Sequence, residues 1–504
     1  MTCLAATRRA LRSDAPNVLV EAPAGCGKTY EAAELALEMG AQLRDGSQVL
    51  VLAHTNAAVQ EFLRRTRNSG GRVRATTIDA FCRELLDPYA ARLGLPTPLR
   101  RHVGLGSGRI AFADLAPKAV DLLTRCSAVR TMLAYRFPFV ILDEHQDTNV
   151  HQHQVVASFR DIASCRVRIF GDPMQAIYKS SDADVVSWDD LMRDSSTVTA
   201  LDTPQRWQEE PDLGEWILRA RTELREGRSI PLQSAPRSVS IRQLPATDCV
   251  GFGHGNVGAL TRPVQEFVRS TTGTIAILSR HNSHVWGLHI AAGGLVRLNE
   301  GADYGEAYAL LERAAESVGN AQGLALHAID HLDRVATGLD QAKQKAILNA
   351  LQGSRIEYGR LQVVKKFLET FEPLYSNPDL RTFCEVAQAI IVQPPEWLTI
   401  RMPVCMRLIG QVRPQPGDDP AECLDAVVAR IKIAARKHTK AVSTIHKAKG
   451  LEFDHVLISN FSSAHFANDE LSRRIAYVAL SRARRSISIL VPGNSPSPLL
   501  GGSS

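Results

Sequence analysis

The stretch Asn17-Val-Leu-Val-Glu-Ala-Pro-Ala-Gly-Cys-Gly-Lys-Thr29 decides how the rest of the chain is read. It opens on an apolar strand, Asn17–Glu21, and a helical stretch, Tyr30–Met39, follows it. A strand that feeds a glycine-bearing loop and then a helix start is the setting in which G-K-T binds phosphate. Glycines let backbone N–H groups turn inward, and the helix contributes the positive end of its dipole. Ala24, Gly25, Cys26, Gly27, Lys28 and Thr29 are therefore the candidate nucleotide cradle. Lys28 is placed to reach the β- and γ-phosphates of ATP, and the Thr29 hydroxyl to bind Mg2+. Ala22 stands where such loops usually carry their first glycine, a small-for-small change.

A second segment completes the chemistry. Phe139-Val-Ile-Leu-Asp-Glu-His-Gln-Asp147 is a buried-type strand ending in two carboxylates. Successive side chains at a strand end splay apart, so adjacent acids serve two roles. Asp143 is the metal candidate, and Glu144 accepts a proton from the attacking water or orients it.

Working outward, further apolar runs occur at Val49–Ala53, Val140–Leu142, Val167–Phe170, Thr274–Ser279, His455–Ile458 and Ile487–Val491, with helical stretches between them. Near-continuous apolar strands alternating with helices imply an α/β fold with parallel sheets covered on both faces. Residues 300–438 differ. Tyr308, Leu311 and Ala315, then Leu326, Ile329, Leu332 and Val335, then Leu361, Val364, Phe367, Leu368 and Phe371 recur at helical spacing. This is a helical insertion between two α/β portions. The tail, 493–504, reads as disordered.

Composition sets the outer bounds. The chain has 504 residues, 44% hydrophobic and 22% charged, which excludes a fully disordered, collagen-like or membrane-embedded chain. Lys+Arg 59 against Asp+Glu 53 gives +6, which permits a nucleic-acid partner without arguing for one. Nine cysteines without a C-x-x-C pair argue against a disulfide framework and fit a reducing cytoplasm.

Seven segments together resemble the UvrD/Rep/PcrA-like superfamily 1A DNA helicases. Beside the loop at 22–29, Ala53-His-Thr-Asn-Ala-Ala58 resembles motif Ia and Thr76-Thr-Ile-Asp-Ala-Phe-Cys82 the next DNA-contact motif. Asp143–Asp147 resembles motif II, and Phe170-Gly-Asp-Pro-Met-Gln-Ala-Ile-Tyr178 motif III. Pro204-Gln-Arg-Trp207 is similar to motif IV, Ser443-Thr-Ile-His-Lys-Ala-Lys-Gly-Leu-Glu-Phe453 to motif V, and Arg474-Ile-Ala-Tyr-Val-Ala-Leu-Ser-Arg-Ala483 to motif VI. The order is that of the family, and the motifs bracket most of the chain.

The resemblance implies two RecA-like P-loop motor domains with ATP between them. The first spans 1–205, with a reduced insertion at about 86–136; the second spans 206–299 and 439–492, interrupted by the 300–438 block. Gln175 would link the γ-phosphate to the DNA track. Arg206 and Arg482 would act as arginine fingers, because the charge spread over a transferring phosphoryl group needs fixed cations. Glu452 would contact the nucleotide or its ribose. Phosphate contacts along single-stranded DNA fall to Thr55, Asn56, Thr76, Thr77, Thr444 and His446, and stacking to Tyr178 and His54. Thr and Asn also cap helices, so both uses stay open for them.

Departures from the family pattern are specific. His54 replaces the usual Phe of motif Ia, and Lys179-Ser-Ser replaces the usual Gly-Trp-Arg after motif III. Trp188 lies further on and can simply pack. The adenine-reading Gln is missing, its expected place lying near Thr7, which leaves ATP against GTP open. Lys343, Lys345, Lys365, Lys366, Lys432, Arg436 and Lys437 in the inserted block either touch duplex phosphates or form a solvated face. The expected activity is ATP-dependent 3′→5′ translocation on single-stranded DNA with duplex unwinding, acting on single strands and junctions. The other reading is a DNA-sensing ATPase that regulates a partner nuclease. It follows a resemblance, in size and motif set, to the helicase subunit of Gabija-type anti-phage systems.

Overall fold

Asn17–Glu21 forms strand β1, whose Val18, Leu19 and Val20 are all fully buried. It sits in a six-stranded, wholly parallel sheet with β2 (Val49–Ala53), β3 (Val73–Thr77), β4 (Phe139–Leu142), β5 (Arg166–Gly171) and β6 (Thr197–Ala200), in the order β3-β2-β4-β5-β1-β6. The computed structural model describes residues 3–99, 110–160, 165–178, 186–244, 258–293, 295–298, 304–353, 355–357, 362–400, 404–415, 418, 420, 423–424, 426–427, 439–493 and 495–501. Helices α1 (Cys3–Arg12), α2 (Lys28–Gln42), α3 (Asn56–Arg65), α4 (Ile78–Leu86), α5 (Phe112–Arg125), α6 (Ser127–Arg136), α7 (Val150–Arg160) and α8 (Trp188–Asp194) accompany this sheet. Val18, Val20, Val49, Val51, Phe139 and Ile141 share one core with Ala32, Leu35 and Ala36 of α2. The alternate residues Leu19, Leu50, Leu52, Val140 and Leu142 are just as buried. Alternate strand residues point to opposite faces, so both faces of the sheet are covered.

A second parallel sheet has the order β7-β14-β13-β8-β12-β9. Its strands are β7 (Val239–Leu244), β8 (Ile275–Ser279) and β9 (Arg297–Leu298). After the helical block with its short antiparallel pair β10 (Ala336–Thr337) and β11 (Thr399–Ile400), the sheet resumes with β12 (Lys440–Thr444), β13 (Phe453–Ile458) and β14 (Ala483–Pro492). Helices α9 (Pro211–Arg225), α10 (Gly258–Ser270) and α11 (Asn282–Ala291) belong with it. The chain is thus α/β, built on parallel sheets flanked by helices. Leu213, Trp216, Ile217 and Leu224 of α9 pack into the core that holds Val456, Ile458, Ile487 and Ile489.

Five strands, β3, β6, β7, β9 and β12, are absent from the sequence reading. Four of them take or border a sheet edge: β6 alternates half-buried and exposed residues, and the middle of β7 is exposed. A half-solvated strand carries no continuous apolar run. The fifth, β12, is buried but short and polar at its end, Ser443-Thr444. The tail differs from expectation more sharply. Pro498–Leu500 forms a 3-10 turn, with Leu499 and Leu500 buried in the second core. The Ser497 hydroxyl donates to Phe466 O at 2.6 Å. Two leucines and a capping serine anchor a segment whose Pro, Ser and Gly content reads as unstructured.

The chain divides into two compact units, Met1–Val103 with Ala111–Glu300 and Thr439–Ser504, and Gly104–Ile110 with Gly301–His438. The second unit carries helices α12 (Tyr304–Glu316), α13 (Ala321–Val335), α14 (Gln341–Ala350), α15 (Lys365–Glu369), α16 (Glu372–Ser376), α17 (Leu380–Val392) and α18 (Val404–Ile409) around its own apolar core. The periodic run at 361–371 does not make one helix. It breaks at Thr370–Phe371, and Pro373 starts the next helix at a position where its missing N–H costs nothing. Lys343 is tied to Asp340 and lies over the Trp397 ring. Lys432, Arg436 and Lys437 lie outside the described residues. Among the described residues no helix is long and apolar enough to cross a membrane, and every described cysteine is free.

His331 in α13 is 3% exposed, and burial, with Arg313 and Arg334 adding, pushes its imidazole down to about 4. A depressed histidine contributes stability above its unfolded value of 6.5, and that stability is lost as pH falls toward 4. The helical unit should therefore lose roughly 3 kcal/mol between those limits through this one group. Urea unfolding of the full chain, followed by far-ultraviolet circular dichroism between pH 7 and pH 4, measures it. His331→Leu is expected to flatten the slope; an unchanged slope would assign the acid sensitivity elsewhere.

Candidate nucleotide site and DNA-facing edge

Gly25 and Gly27 hold φ +76° and +80°, the left-handed region that glycine enters without strain. Gly27 immediately precedes α2, so the helix N-terminus faces the loop. Ala22 is not among the positive-φ residues, so a side chain there strains nothing. A Cβ on Gly25 would lie 2.7 Å from the Trp207 ring and 3.0 Å from Arg206 Cβ. Motif IV is therefore packed directly on the loop, and Gly25 O accepts from the backbone N–H groups of Gln205 (2.7 Å) and Arg206 (3.0 Å). Burial pushes the Cys26 thiol up to about 12, so it stays protonated at neutral pH.

Lys28, 8% exposed, pairs with Glu144 at 2.6 Å. Thr29 Oγ1 donates to Asp143 Oδ2 at 3.3 Å, and Asp143 Oδ1 accepts from Glu144 N at 3.1 Å. Glu144 sits at φ +54°, a left-handed conformation costing a non-glycine residue roughly 1–2 kcal/mol. Its carboxylate is held from both sides, by Lys28 and by the Gln146 amide. Burial raises Asp143 to about 6, against the opposing pull of Lys28. Burial acts on Glu144 too, but Lys28 and Lys449 outweigh it and hold it well below the usual carboxylate range. The two adjacent acids are thus driven apart, one toward a proton, one fixed as an anion.

The two arginines expected to act as fingers have different partners. Arg482, 1% exposed, donates from Nη2 to Gln175 Oε1 at 3.3 Å. Its Nε holds Val478 O at 2.9 Å and its Nη1 holds Leu451 O at 3.3 Å. Arg206 donates to Glu452 Oε1 at 2.6 Å and to Ser481 O. Glu452 also binds Arg484 at 2.6 Å, and the two guanidinium groups hold it down to about 2 in spite of its burial. Glu452 therefore faces Arg206 and Arg484 here.

Residues without an assigned role complete the cleft. Asp172, fully buried, follows β5 and accepts from Met174 N (3.1 Å), Gln175 Nε2 (3.0 Å), Arg221 Nη2 (2.7 Å) and the Tyr477 hydroxyl (3.2 Å). Arg221 reaches Glu21 as well, at 2.6 Å. Lys449 of motif V pairs with Asp147 at 2.5 Å and donates to Gln175 O at 2.6 Å. Trp207 Nε1 donates to Ala483 O at 2.7 Å, tying motif IV to motif VI. Asp147, Asp172, Trp207, Lys449 and Tyr477 lie inside recognisable motifs. Arg221 lies in none; only its helical spacing from Leu213 and Ile217, which sets it beside the apolar stripe of its helix, separates it from Arg219. Thr7 turns from the cleft: its hydroxyl donates to Ala200 O and contacts Thr199 Oγ1, both at 2.7 Å, pinning the N-terminal helix α1 to β6. Trp188 packs, its ring against Gly171 and its Nε1 3.3 Å from Glu21.

The DNA candidates gather at the carboxyl ends of the strands. Thr55 and Thr77 follow or end the paired strands β2 and β3, and Thr444 ends β12. Each side chain caps a helix, accepting from Ala58 N (3.1 Å), Ala80 N (3.2 Å) and Lys447 N (3.3 Å). That is the capping use left open above, and it leaves each hydroxyl proton free to donate outward. Thr76 is half-buried, its hydroxyl 3.5 Å from Thr77 O. The Asn56 side chain and residues 179–185, with Lys179, lie outside the described residues. Tyr178 is exposed, not core; its hydroxyl donates to His446 O at 3.1 Å, its ring lies 6.2 Å from the His446 ring, and Lys449 covers it at 4.9 Å. His54 is drawn inward, its Nε2 2.8 Å from Thr148 Oγ1, which in turn meets His145. Burial lowers His54 to about 4, so the ring is neutral.

Comparison with known proteins agrees with this arrangement. The family described as AAA domain matches residues 6–181, and the UvrD-like helicase C-terminal domain matches residues 441–490. A 79-residue segment is 28% identical to the RecBCD enzyme subunit RecB of Buchnera aphidicola subsp. Schizaphis graminum. It covers 16% of this chain and 7% of that protein. With an AAA-domain match over the P-loop end, a UvrD-like helicase C-terminal match near the other end and the motifs of both meeting in one cleft, the chain is similar to the UvrD/Rep-like superfamily 1 helicases.

Proposed function

We propose that this chain hydrolyses ATP to translocate 3′→5′ on single-stranded DNA and to unwind duplex ahead of it. The observation that carries the reading is the contact of Arg482 with Gln175, which joins a motif VI finger to the loop after β5. The fit to nucleotide is local and specific: two left-handed glycines, a buried lysine already neutralising a carboxylate, and a hydroxyl 3.3 Å from a second carboxylate. Ala24, Gly25, Cys26, Gly27, Lys28 and Thr29 cradle the phosphates. Thr29 and Asp143 would hold Mg2+, which when bound would supply charge neutralisation to the phosphates. Glu144 orients the attacking water and takes its proton, Gln175 senses the γ-phosphate, and Arg206 and Arg482 stabilise the transferring group.

Thr55, Asn56, Thr76, Thr77, Thr444 and His446 grip the strand backbone, Tyr178 stacks, and His54 buttresses the loop of motif II from beneath the strand. We place the lobe boundary near 205, with 206–299 and 439–492 as the second lobe and 300–438 as an accessory block, in a cytoplasmic enzyme. The ATPase rate should rise on adding single-stranded DNA, and a duplex with a 3′ tail should be displaced faster than one with a 5′ tail. ATP hydrolysis indifferent to DNA would defeat the motor reading. DNA-stimulated hydrolysis without displacement would instead favour an ATPase that senses DNA for a partner nuclease.

A further inference from the structure

Tyr477 lies on α20 (Glu470–Leu480), which follows α19 (Ile445–Ala448) in the chain and ends two residues before Arg482. Its side chain is fully buried, and its hydroxyl has two partners, both in the first lobe. It accepts from Ala24 N at 2.8 Å and donates to Asp172 Oδ2 at 3.2 Å. The first partner is the entry of the phosphate loop. The second is the carboxylate that also holds the Gln175 side-chain amide at 3.0 Å. Gln175 in turn accepts from Arg482, and Arg482 Nε returns to Val478 O beside Tyr477. The bonds close a circuit that leaves α20 at residue 477 and rejoins it at 478, passing through the phosphate loop's neighbour, the phosphate sensor and the finger.

We propose that Tyr477 is a positioning residue whose hydroxyl keys α20 to the phosphate loop, so that Gln175 and Arg482 meet the γ-phosphate in one geometry. The proposal rests on the cleft being the ATP site. Burial beside Asp172 keeps the phenol protonated, as the donor role to a carboxylate requires. Arg221 holds the other Asp172 oxygen at 2.7 Å, which fixes the carboxylate that the phenol meets. A phenylalanine would fill the same volume and leave the Ala24 N–H and one Asp172 lone pair unanswered.

The test is Tyr477→Phe in the full chain, with steady-state ATPase measured at saturating oligo-dT. Displacement of a finger by a fraction of an ångström lowers kcat, here by about tenfold or more, while the KM for ATP stays within about twofold. Asp172→Asn should lower kcat similarly, and the double variant should be no worse than the poorer single variant, since both cut one circuit. A merely structural tyrosine would lower the melting temperature and leave kcat per folded molecule unchanged. That outcome, full additivity in the double variant, or failure of Tyr477→Phe to fold would each overturn the proposal. Lys28→Ala run alongside separates the two readings: if it still hydrolyses ATP, the site assignment fails and not the circuit.

Discussion

Lys28→Ala is expected to abolish ATP turnover, lowering kcat by about 10³-fold or more, the scale on which a fixed charge-stabilising group acts. The reasoning starts from burial. The Lys28 ammonium is 8% exposed and 2.6 Å from Glu144, so it acts where water screens little. Removing it withdraws the cation from the phosphates and also frees Glu144, whose carboxylate then lacks its main counter-charge. Glu144→Gln is the companion variant: it keeps the Gln146 neighbourhood and should bind nucleotide while turning over very little. Phosphate release measured with and without DNA, against ADP binding by calorimetry, separates the two. A Lys28→Ala protein with ordinary turnover would refute the assignment of the cradle.

Arg482→Ala carries the second large effect. An arginine finger contributes about 10³–10⁵ in kcat, and a loss of at least the lower figure is expected here with ATP affinity little changed. Stability will fall as well. Arg482 is 1% exposed and satisfies Val478 O, Leu451 O and the Ser481 hydroxyl, and each buried acceptor left alone costs about 1–3 kcal/mol. Arg482→Lys is therefore the informative variant, since it retains the charge and loses the planar fork. Single-turnover hydrolysis should be slow in both. Fast single-turnover chemistry in Arg482→Lys would mean that charge alone suffices and that the bond to Gln175 is incidental.

The buried apolar strands and the phosphate loop were legible because each rests on local chemistry. Val18–Val20 and Val49–Ala53 are apolar without interruption because both faces of their sheet are covered. Gly25 and Gly27 are glycines because the loop turns through positive φ. Edge strands such as β6 and β7 carry no such signature, since solvent takes one side of them. The tail was misread for a related reason: Leu499 and Leu500 are only two apolar residues among Pro, Ser and Gly, and their burial depends on a core assembled from residues far earlier in the chain.

The candidate site divides along the same line. That Lys28, Thr29, Asp143 and Glu144 come together follows from one strand–loop–helix and one strand ending in acids. That Glu452 faces arginines, that Thr7 is spent on β6, and that His54 turns inward to Thr148 are outcomes of packing. Arg221 states the difference most plainly. It shares a helix with Arg219 and Arg225, both exposed, yet it alone of the three is buried against Asp172. Residue types and local spacing determined the chemistry proposed for this chain: a phosphate-binding loop, carboxylates at a strand end, cationic groups for a transferring phosphoryl. Tertiary structure alone decided which distant groups hold that chemistry in register. A hydrogen bond between residues 24 and 477, or 172 and 221, has no local pattern to announce it and exists only once the two sheets and their helices are packed together.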